Sequence, residues 1–165
     1  SLLRRTGRTV IRAENIRRAG AGGFCPRADQ LAFGAYNKAF APARTDYDWI
    51  SANPDNVVAY LADPFCGEPV TVGLFRDLLG SIRFVGKAAN VAKMDRNLSV
   101  LFIAGDQDPV GDMGKGVERA FHSFRKAGLS DVSLKLYHGL RHEILNERQR
   151  RFVFQDVLDW LNARS

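Results

Sequence analysis

The stretch of residues 98–112 constrains the fold of this chain more than any other. Residues 100–104 are all apolar and, with Leu98, predict a fully buried strand over 98–104. The strand stops at Gly105, and the loop that follows carries three carboxylates, on Asp106, Asp108 and Asp112. Functional groups of an open parallel sheet lie beyond the carboxyl ends of its strands. This acid loop (residues 105–112) is therefore a suitable place for a charge that does chemistry.

A helix and a second strand follow the acid loop. Apolar residues at i, i+3, i+4 and i+7 predict a helix over 113–127, with Asp112 as its N-cap and Gly128 just after its end. Alternating apolar residues predict a strand over 132–137. Because a helix separates the two strands, they are expected to pair in parallel.

The last predicted element is a helix over 147–163, with Asn146 as its N-cap and Gln149 three residues on. Its expected inner stripe consists of Phe154, Val157, Leu158 and Leu161. The loop before it (residues 138–146, the histidine loop) follows the second strand. Neighbouring parallel strands bring their C-terminal loops together, so the acid loop and the histidine loop are expected to meet.

Residues 24–95 differ in composition, because they are rich in aromatic residues and cut into short pieces by five prolines. Three short helices are predicted here. One runs from an Asp29 cap to about Ala39, one covers 56–62 with Asn53 or Asp55 as its cap, and one runs from a Thr71 cap to Leu79, ending at Gly80. We therefore expect two domains: residues 1–95, a basic N-terminal arm with a helical region, and residues 96–165, a βαβα unit.

The net charge of +6 is uneven, since residues 1–30 carry +5 of it. A basic arm beside a nearly neutral domain argues against a nucleic-acid-binding fold, which carries its charge on a folded face. The favoured interpretation of the arm is a helix whose arginines face water. Attraction to an anionic membrane or other acidic surface, and an organellar transit peptide, are the alternatives.

The two cysteines, Cys25 and Cys66, are too few for a disulfide framework and lack metal-ligand spacing. No apolar run is long enough to span a membrane. We therefore expect a cytoplasmic protein without a metal site built on its cysteines.

An aspartate and a histidine brought together beyond two strands can form a carboxylate–imidazole pair. Asp112 is already explained as a cap, and Asp106 could bond to backbone amides, whereas Asp108 precedes Pro109, which extends it away from the strand end. Of the histidines, His122 falls inside a helix, and the other two, His138 and His142, lie in the histidine loop. On spacing alone, an Asp–His pair is favoured only modestly over ordinary loop residues, since aspartate and histidine are common in loops.

The order strand, Gly-Asp-Gln-Asp-Pro-Val-Gly-Asp, helix, strand, Tyr-His-Gly-Leu-Arg-His-Glu, helix resembles the C-terminal end of α/β-hydrolases. It is similar to the lysophospholipase, monoacylglycerol lipase and serine aminopeptidase-like group. Residues 33–40, 44–51 and 63–67 resemble the helical cap that covers the acyl pocket in bacterial members. The resemblance implies that Asp108 is the acid and His142 the base of a Ser-His-Asp triad that hydrolyses small ester or lipid substrates. It implies no metal and no organic cofactor.

The chain departs from this family in one respect, since it contains no G-x-S-x-G nucleophile motif. Together with a start at Ser1, this makes us expect a fragment: the cap and the last two βα units of a longer hydrolase, separated from its N-terminal half and inactive alone. Cys66 is interpreted as a buried thiol, not a replacement nucleophile. The alternative function is a non-catalytic cap-type module that binds a membrane or an acidic partner through the basic arm.

Overall fold

The computed structural model describes residues 22–24, 33–67 and 70–165. Within these ranges a 3₁₀ helix (Tyr36–Phe40) precedes five α-helices and two strands. In chain order they are α1 (Pro54–Ala62), α2 (Val72–Val85), α3 (Ala88–Val91), β1 (Val100–Gly105), α4 (Lys115–Lys126), β2 (Val132–Tyr137) and α5 (Arg150–Asn162). The expected helical face of the arm, Cys25 and the start of the helix from Asp29 lie outside the described residues.

The two strands pair in parallel, with Val100 opposite Val132 and Gly105 opposite Tyr137. The parallel pairing predicted from the sequence is confirmed, and β2 has its predicted bounds. β1 begins two residues later than predicted, at Val100, because residues 96–99 form a turn and an extended approach in which Leu98 donates its N–H to Asp95. Both strands end at the edge of the sheet where the acid loop and the histidine loop begin.

The caps of the first two helices agree with the sequence, but the end of α2 does not. The Asn53 side chain accepts from the N–H of Asp55, and Thr71 accepts from the N–H of Leu74. α2 continues through Gly80 to Val85 and ends at Gly86. A single glycine costs about 1 kcal/mol inside a helix, which the surrounding turns can offset, so Gly80 does not terminate it.

Asp112 does not cap α4, contrary to the prediction. Its backbone is left-handed (φ 57°), as is that of Met113 (φ 54°), and the helix starts only at Lys115, after Gly114. The tight turn carries the carboxylate of Asp112 away from the helix N-terminus to Arg119, 2.8 Å away. The other end of α4 agrees with the sequence, since Gly128 follows it with φ 101°.

α5 begins at Arg150, not at Glu147, and Asn146 does not cap it. Within the described residues most of its predicted inner stripe is not buried, because Phe154, Leu158 and Leu161 are each about half exposed. The fully buried residue is Val153, one position earlier, and Val157 and Trp160 are partly buried with it. The buried face is therefore rotated by about one residue, or roughly 100°.

Two separate apolar clusters form the core of the described residues. One joins Val72 and Phe75 of α2 to Phe33, and the other joins the histidine loop to Val153 and Ile103. The second cluster anchors the histidine loop from below. Within the described residues, no helix is both long and apolar enough to cross a membrane.

Candidate active site

Gly105, the last residue of β1, lets the histidine loop cross the end of the strand. A Cβ atom at this position would lie 2.1 Å from the carbonyl oxygen of Leu140, so no larger residue fits without displacement of the backbone. The close approach is secured by main-chain hydrogen bonds from Asp106 to Tyr137 and from Gln107 to Leu140, both 3.0 Å long. The acid loop and the histidine loop therefore meet directly, as expected from the sequence.

Asp108 is buried, with 7% of its surface exposed. One carboxylate oxygen, Oδ1, accepts the N–H of Val110 at 2.8 Å, which fixes the orientation of the side chain across Pro109. The other oxygen, Oδ2, lies 3.2 Å from Nδ1 of His142. The loop behind it is closed by a hydrogen bond from the N–H of Met113 to the carbonyl of Asp108.

The imidazole of His142 joins Asp108 on one side and solvent on the other, with 41% of the side chain exposed. The hydrogen bond to Asp108 raises the pKa of His142 by more than burial lowers it, and the negative charges of Asp108 and Glu143 add to the increase. Since Nδ1 faces the carboxylate, Nε2 lies on the opposite side of the ring, where a reacting group could meet it. This arrangement suits a general base that is oriented by a carboxylate.

A second aspartate–histidine pair lies beyond the same carboxyl ends of the two strands. Asp106 Oδ2 is 2.8 Å from Nδ1 of His138, and Oδ1 accepts the N–H of Gly139 at 2.8 Å. Burial raises the pKa of Asp106, but the hydrogen bonds from His138 and Gly139 outweigh it, so the net shift is downward. The His138 side chain is 96% exposed, and the pair therefore braces the two loops at the surface.

The remaining candidates are not brought to this pair. His122 is exposed on α4, where its ring packs against Phe121. Asp112 forms an ion pair with Arg119. Burial raises the pKa of the Cys66 thiol, helped by Asp63 and Glu143, and a protonated thiol is a poor nucleophile.

Three residues that the sequence did not single out hold the histidine loop. Glu147 is 1% exposed and accepts main-chain hydrogen bonds from Ala52, Asn53 and Arg141. The guanidinium of Arg141 lies 3.8 Å above the ring of Phe40. The ring of Trp49 packs against His142 with 5.3 Å between centroids. These partners are distant in the chain, so no local pattern marked them.

The chain is similar in sequence to a known protein family and to a known lipase. The family described as serine aminopeptidase, S33, matches residues 14–149. A monoacylglycerol lipase of Mycolicibacterium smegmatis is 32% identical over 120 residues, which is 70% of this chain and 39% of that protein.

Two solved structures resemble the chain over almost all of its length. A thermostable carboxyl esterase from Bacillus coagulans, in complex with glycerol, has 25% identity and a TM-score of 0.85, over 96% of this chain and 52% of the esterase. An open form of a lipase has 24% identity and a TM-score of 0.80, over 92% of this chain and 48% of the lipase. These likenesses confirm the fold class expected from the sequence. The chain spans about half the length, or less, of these three relatives.

Proposed function

Because this chain belongs to the serine aminopeptidase S33 family of α/β-hydrolases, we propose that it is part of a carboxylic-ester hydrolase of the lysophospholipase or monoacylglycerol lipase type. The observation that carries the proposal is the contact between Asp108 and His142 beyond two parallel strands. In this proposal Asp108 is the acid and His142 the base of a Ser-His-Asp triad.

The chemistry follows from the orientation of the imidazole. Nε2 of His142 removes the proton from a serine hydroxyl as the oxygen attacks the ester carbonyl, and Asp108 stabilises the imidazolium that forms. The imidazolium then gives its proton to the departing alkoxide, and the same base activates the water that hydrolyses the acyl-enzyme. The sequence has no G-x-S-x-G, so we place the serine and the oxyanion hole outside these 165 residues.

The substrate proposed is an ester with an apolar acyl chain. The names of the relatives, a monoacylglycerol lipase and a carboxyl esterase, point in this direction. An aromatic cluster beside His142 supports it, since the rings of Tyr36 and Phe33 pack on Trp49, which contacts the imidazole. Such a surface favours hydrocarbon over a charged group.

The two-stranded sheet also supports a longer protein. Each strand has one neighbour among the described residues, and an unpaired strand edge favours association. Large apolar side chains remain exposed on α5 and before β1. They are Leu98, Phe152, Phe154, Leu158 and Leu161. We propose that the N-terminal half of the same hydrolase covers them.

The test compares two preparations: the 165-residue chain alone and the protein encoded by the complete reading frame that contains it. We expect the complete protein to hydrolyse p-nitrophenyl butyrate and a monoacylglycerol, and the chain alone to hydrolyse neither. An inactive complete protein would contradict the ester-hydrolase proposal. Hydrolysis by the chain alone that is lost in His142→Ala would show that the nucleophile lies within it.

The +5 charge of residues 1–30 favours a second role, peripheral contact with an anionic membrane. Binding of the chain to phosphatidylserine vesicles, weakened by salt and unchanged by Asp108→Asn, is the expected result. Equal binding to uncharged phosphatidylcholine vesicles would contradict it.

A further inference from the structure

The segment of residues 48–53, here called the docked turn, is held by hydrogen bonds in both directions to the histidine loop and to Glu147, which directly follows that loop. The guanidinium of Arg141 donates to the carbonyls of Asp48 and Ser51, and the N–H of Glu143 donates to the carbonyl of Ile50 at 2.8 Å. In return, the N–H groups of the last two residues of the turn donate to Glu147 at 2.8 and 3.0 Å. The turn therefore has a fixed position relative to His142.

The docked turn carries Trp49, whose indole packs against the imidazole of His142. The two ring planes are inclined by 48°. Trp49 is buried, and its indole also contacts Tyr36 at 5.2 Å and stacks on Phe33 at 6.3 Å between centroids. Its main-chain N–H is held by the Asn37 side chain at 3.0 Å. The indole of Trp49 therefore cannot move without disturbing these neighbours.

The imidazole, by contrast, makes one side-chain hydrogen bond within the described residues, to Asp108 at 3.2 Å. Its side chain is partly open to solvent, so a rotation about χ1 or χ2 could carry Nδ1 away from the carboxylate. The indole lies 5.3 Å from the imidazole between ring centroids, and it therefore limits the space into which the imidazole can turn. A ring contact of this kind is strong enough to bias a rotamer population by roughly two- to tenfold.

We propose that Trp49 is a positioning residue, which keeps the imidazole of His142 against Asp108 while the docked turn, clamped by Arg141 and Glu147, holds Trp49 in place. This inference deepens the proposed function, on which it rests for its consequence in catalysis. Through Trp49, the helical region would influence the position of His142. Arg141 and Glu147 act through Trp49 and do not touch the imidazole.

Charge on the docked turn does not explain the same effect. Among the described residues, the charges that raise the pKa of His142 are those of Asp108 from the acid loop and Glu143 beside it in the chain. The one charged side chain of the docked turn, Asp48, is occupied by Thr45 and the N–H of Arg44. Arg141 directs its guanidinium to carbonyls and to Phe40. Trp49 therefore acts through its shape and position.

The test is an NMR titration of His142 in the labelled chain, which measures no enzymatic activity. Trp49→Leu removes the indole that packs against His142. We expect the pKa of His142 to fall toward its ordinary value and its Nδ1 proton to exchange faster with solvent. Trp49→Phe, which keeps an aromatic ring, should retain most of the elevation. Trp160→Leu removes the other tryptophan, near Ser133 at the far end of β2, and should leave the titration unchanged.

Repeating Trp49→Leu in an Asp108→Asn background separates positioning from a direct effect of the indole. If Trp49 positions the ring against Asp108, the fall in pKa disappears when Asp108 is neutral. An equal fall in both backgrounds, or no fall in the native background, would overturn the proposal. If Trp49→Leu does not fold, Trp49→Met replaces it, with the same two outcomes. Since no turnover is measured, failure here leaves the ester-hydrolase proposal standing, and an inactive complete protein leaves this one standing.

Discussion

The carboxylate of Glu147 accepts the main-chain N–H of Asn53 at 3.0 Å across 94 residues of sequence. The same carboxylate accepts the N–H groups of Ala52 and Arg141. One buried acid thus connects the N-terminal end of α1 to the loop that carries His142. The carboxylate can lie almost fully buried because each of its hydrogen bonds replaces one to water.

Replacing this acid should weaken the whole chain. Glu147→Ala leaves three main-chain N–H groups without their acceptor, and we expect the free energy of unfolding to fall by roughly 3 kcal/mol or more. Glu147→Gln keeps an amide oxygen as an acceptor, so its free energy of unfolding should lie between those of the native chain and Glu147→Ala. Urea unfolding followed by circular dichroism measures both.

The matched control is Glu118→Ala, on the exposed side of α4, which should change the free energy of unfolding by no more than about 0.5 kcal/mol. Equal effects of Glu118→Ala and Glu147→Ala would show that the buried hydrogen bonds do not hold the two regions together.

Gly105→Ala tests the close approach of the two loops. An added Cβ would overlap the carbonyl of Leu140, so we expect the histidine loop to shift and stability to fall by about 1–3 kcal/mol. The pKa of His142 should also move toward its ordinary value as Asp108 and His142 separate. Thermal unfolding and an NMR titration check the two effects.

Gly80→Ala is the control for this substitution. A Cβ at Gly80 meets no atom within 4 Å, and the residue is inside α2, so alanine should raise stability by up to about 1 kcal/mol. A Gly105→Ala variant that is as stable as the native chain, with an unchanged His142, would contradict the account of the loop crossing.

The sequence predicted the elements whose signals are local. The bounds of β2 and the caps at Asn53 and Thr71 follow from alternation and from side chains that bond to neighbouring amides. The meeting of the acid loop and the histidine loop followed from the predicted parallel pairing, although spacing alone left several Asp–His combinations open. The domain boundary near residue 95 and the catalytic roles of Asp108 and His142 stay predictions.

The features that the sequence did not predict depend on distant partners or on unusual backbone. Asp112 looks like an N-cap, but a left-handed backbone turns it toward Arg119. Glu147 looks like the first turn of a helix, but its hydrogen bonds reach across the fold. The buried face of α5 is set by its packing on the histidine loop through Val153, which periodicity alone could not fix.

The raised pKa of His142 predicts the sign of a pH dependence. The hydrogen bond to Asp108 favours the protonated ring in the folded state, so its contribution to stability is fully present below the unfolded pKa of 6.5 and is lost as the pH rises through the higher folded pKa. Asp108→Asn should flatten this part of the curve. Urea unfolding of both proteins from about pH 5 to about pH 9 measures it, and parallel curves would contradict the assignment.

The central claim, that Asp108 and His142 are the acid and base of an ester hydrolase, is tested most directly by kcat/KM of the complete protein with p-nitrophenyl butyrate. The two aspartate–histidine pairs provide the comparison. We expect His142→Ala to lower kcat/KM by about 10⁴-fold or more, as loss of a general base does in serine hydrolases. His138→Ala, which removes the exposed partner of Asp106, should stay within about threefold of the native protein. A large loss in His138→Ala with little change in His142→Ala would contradict the claim.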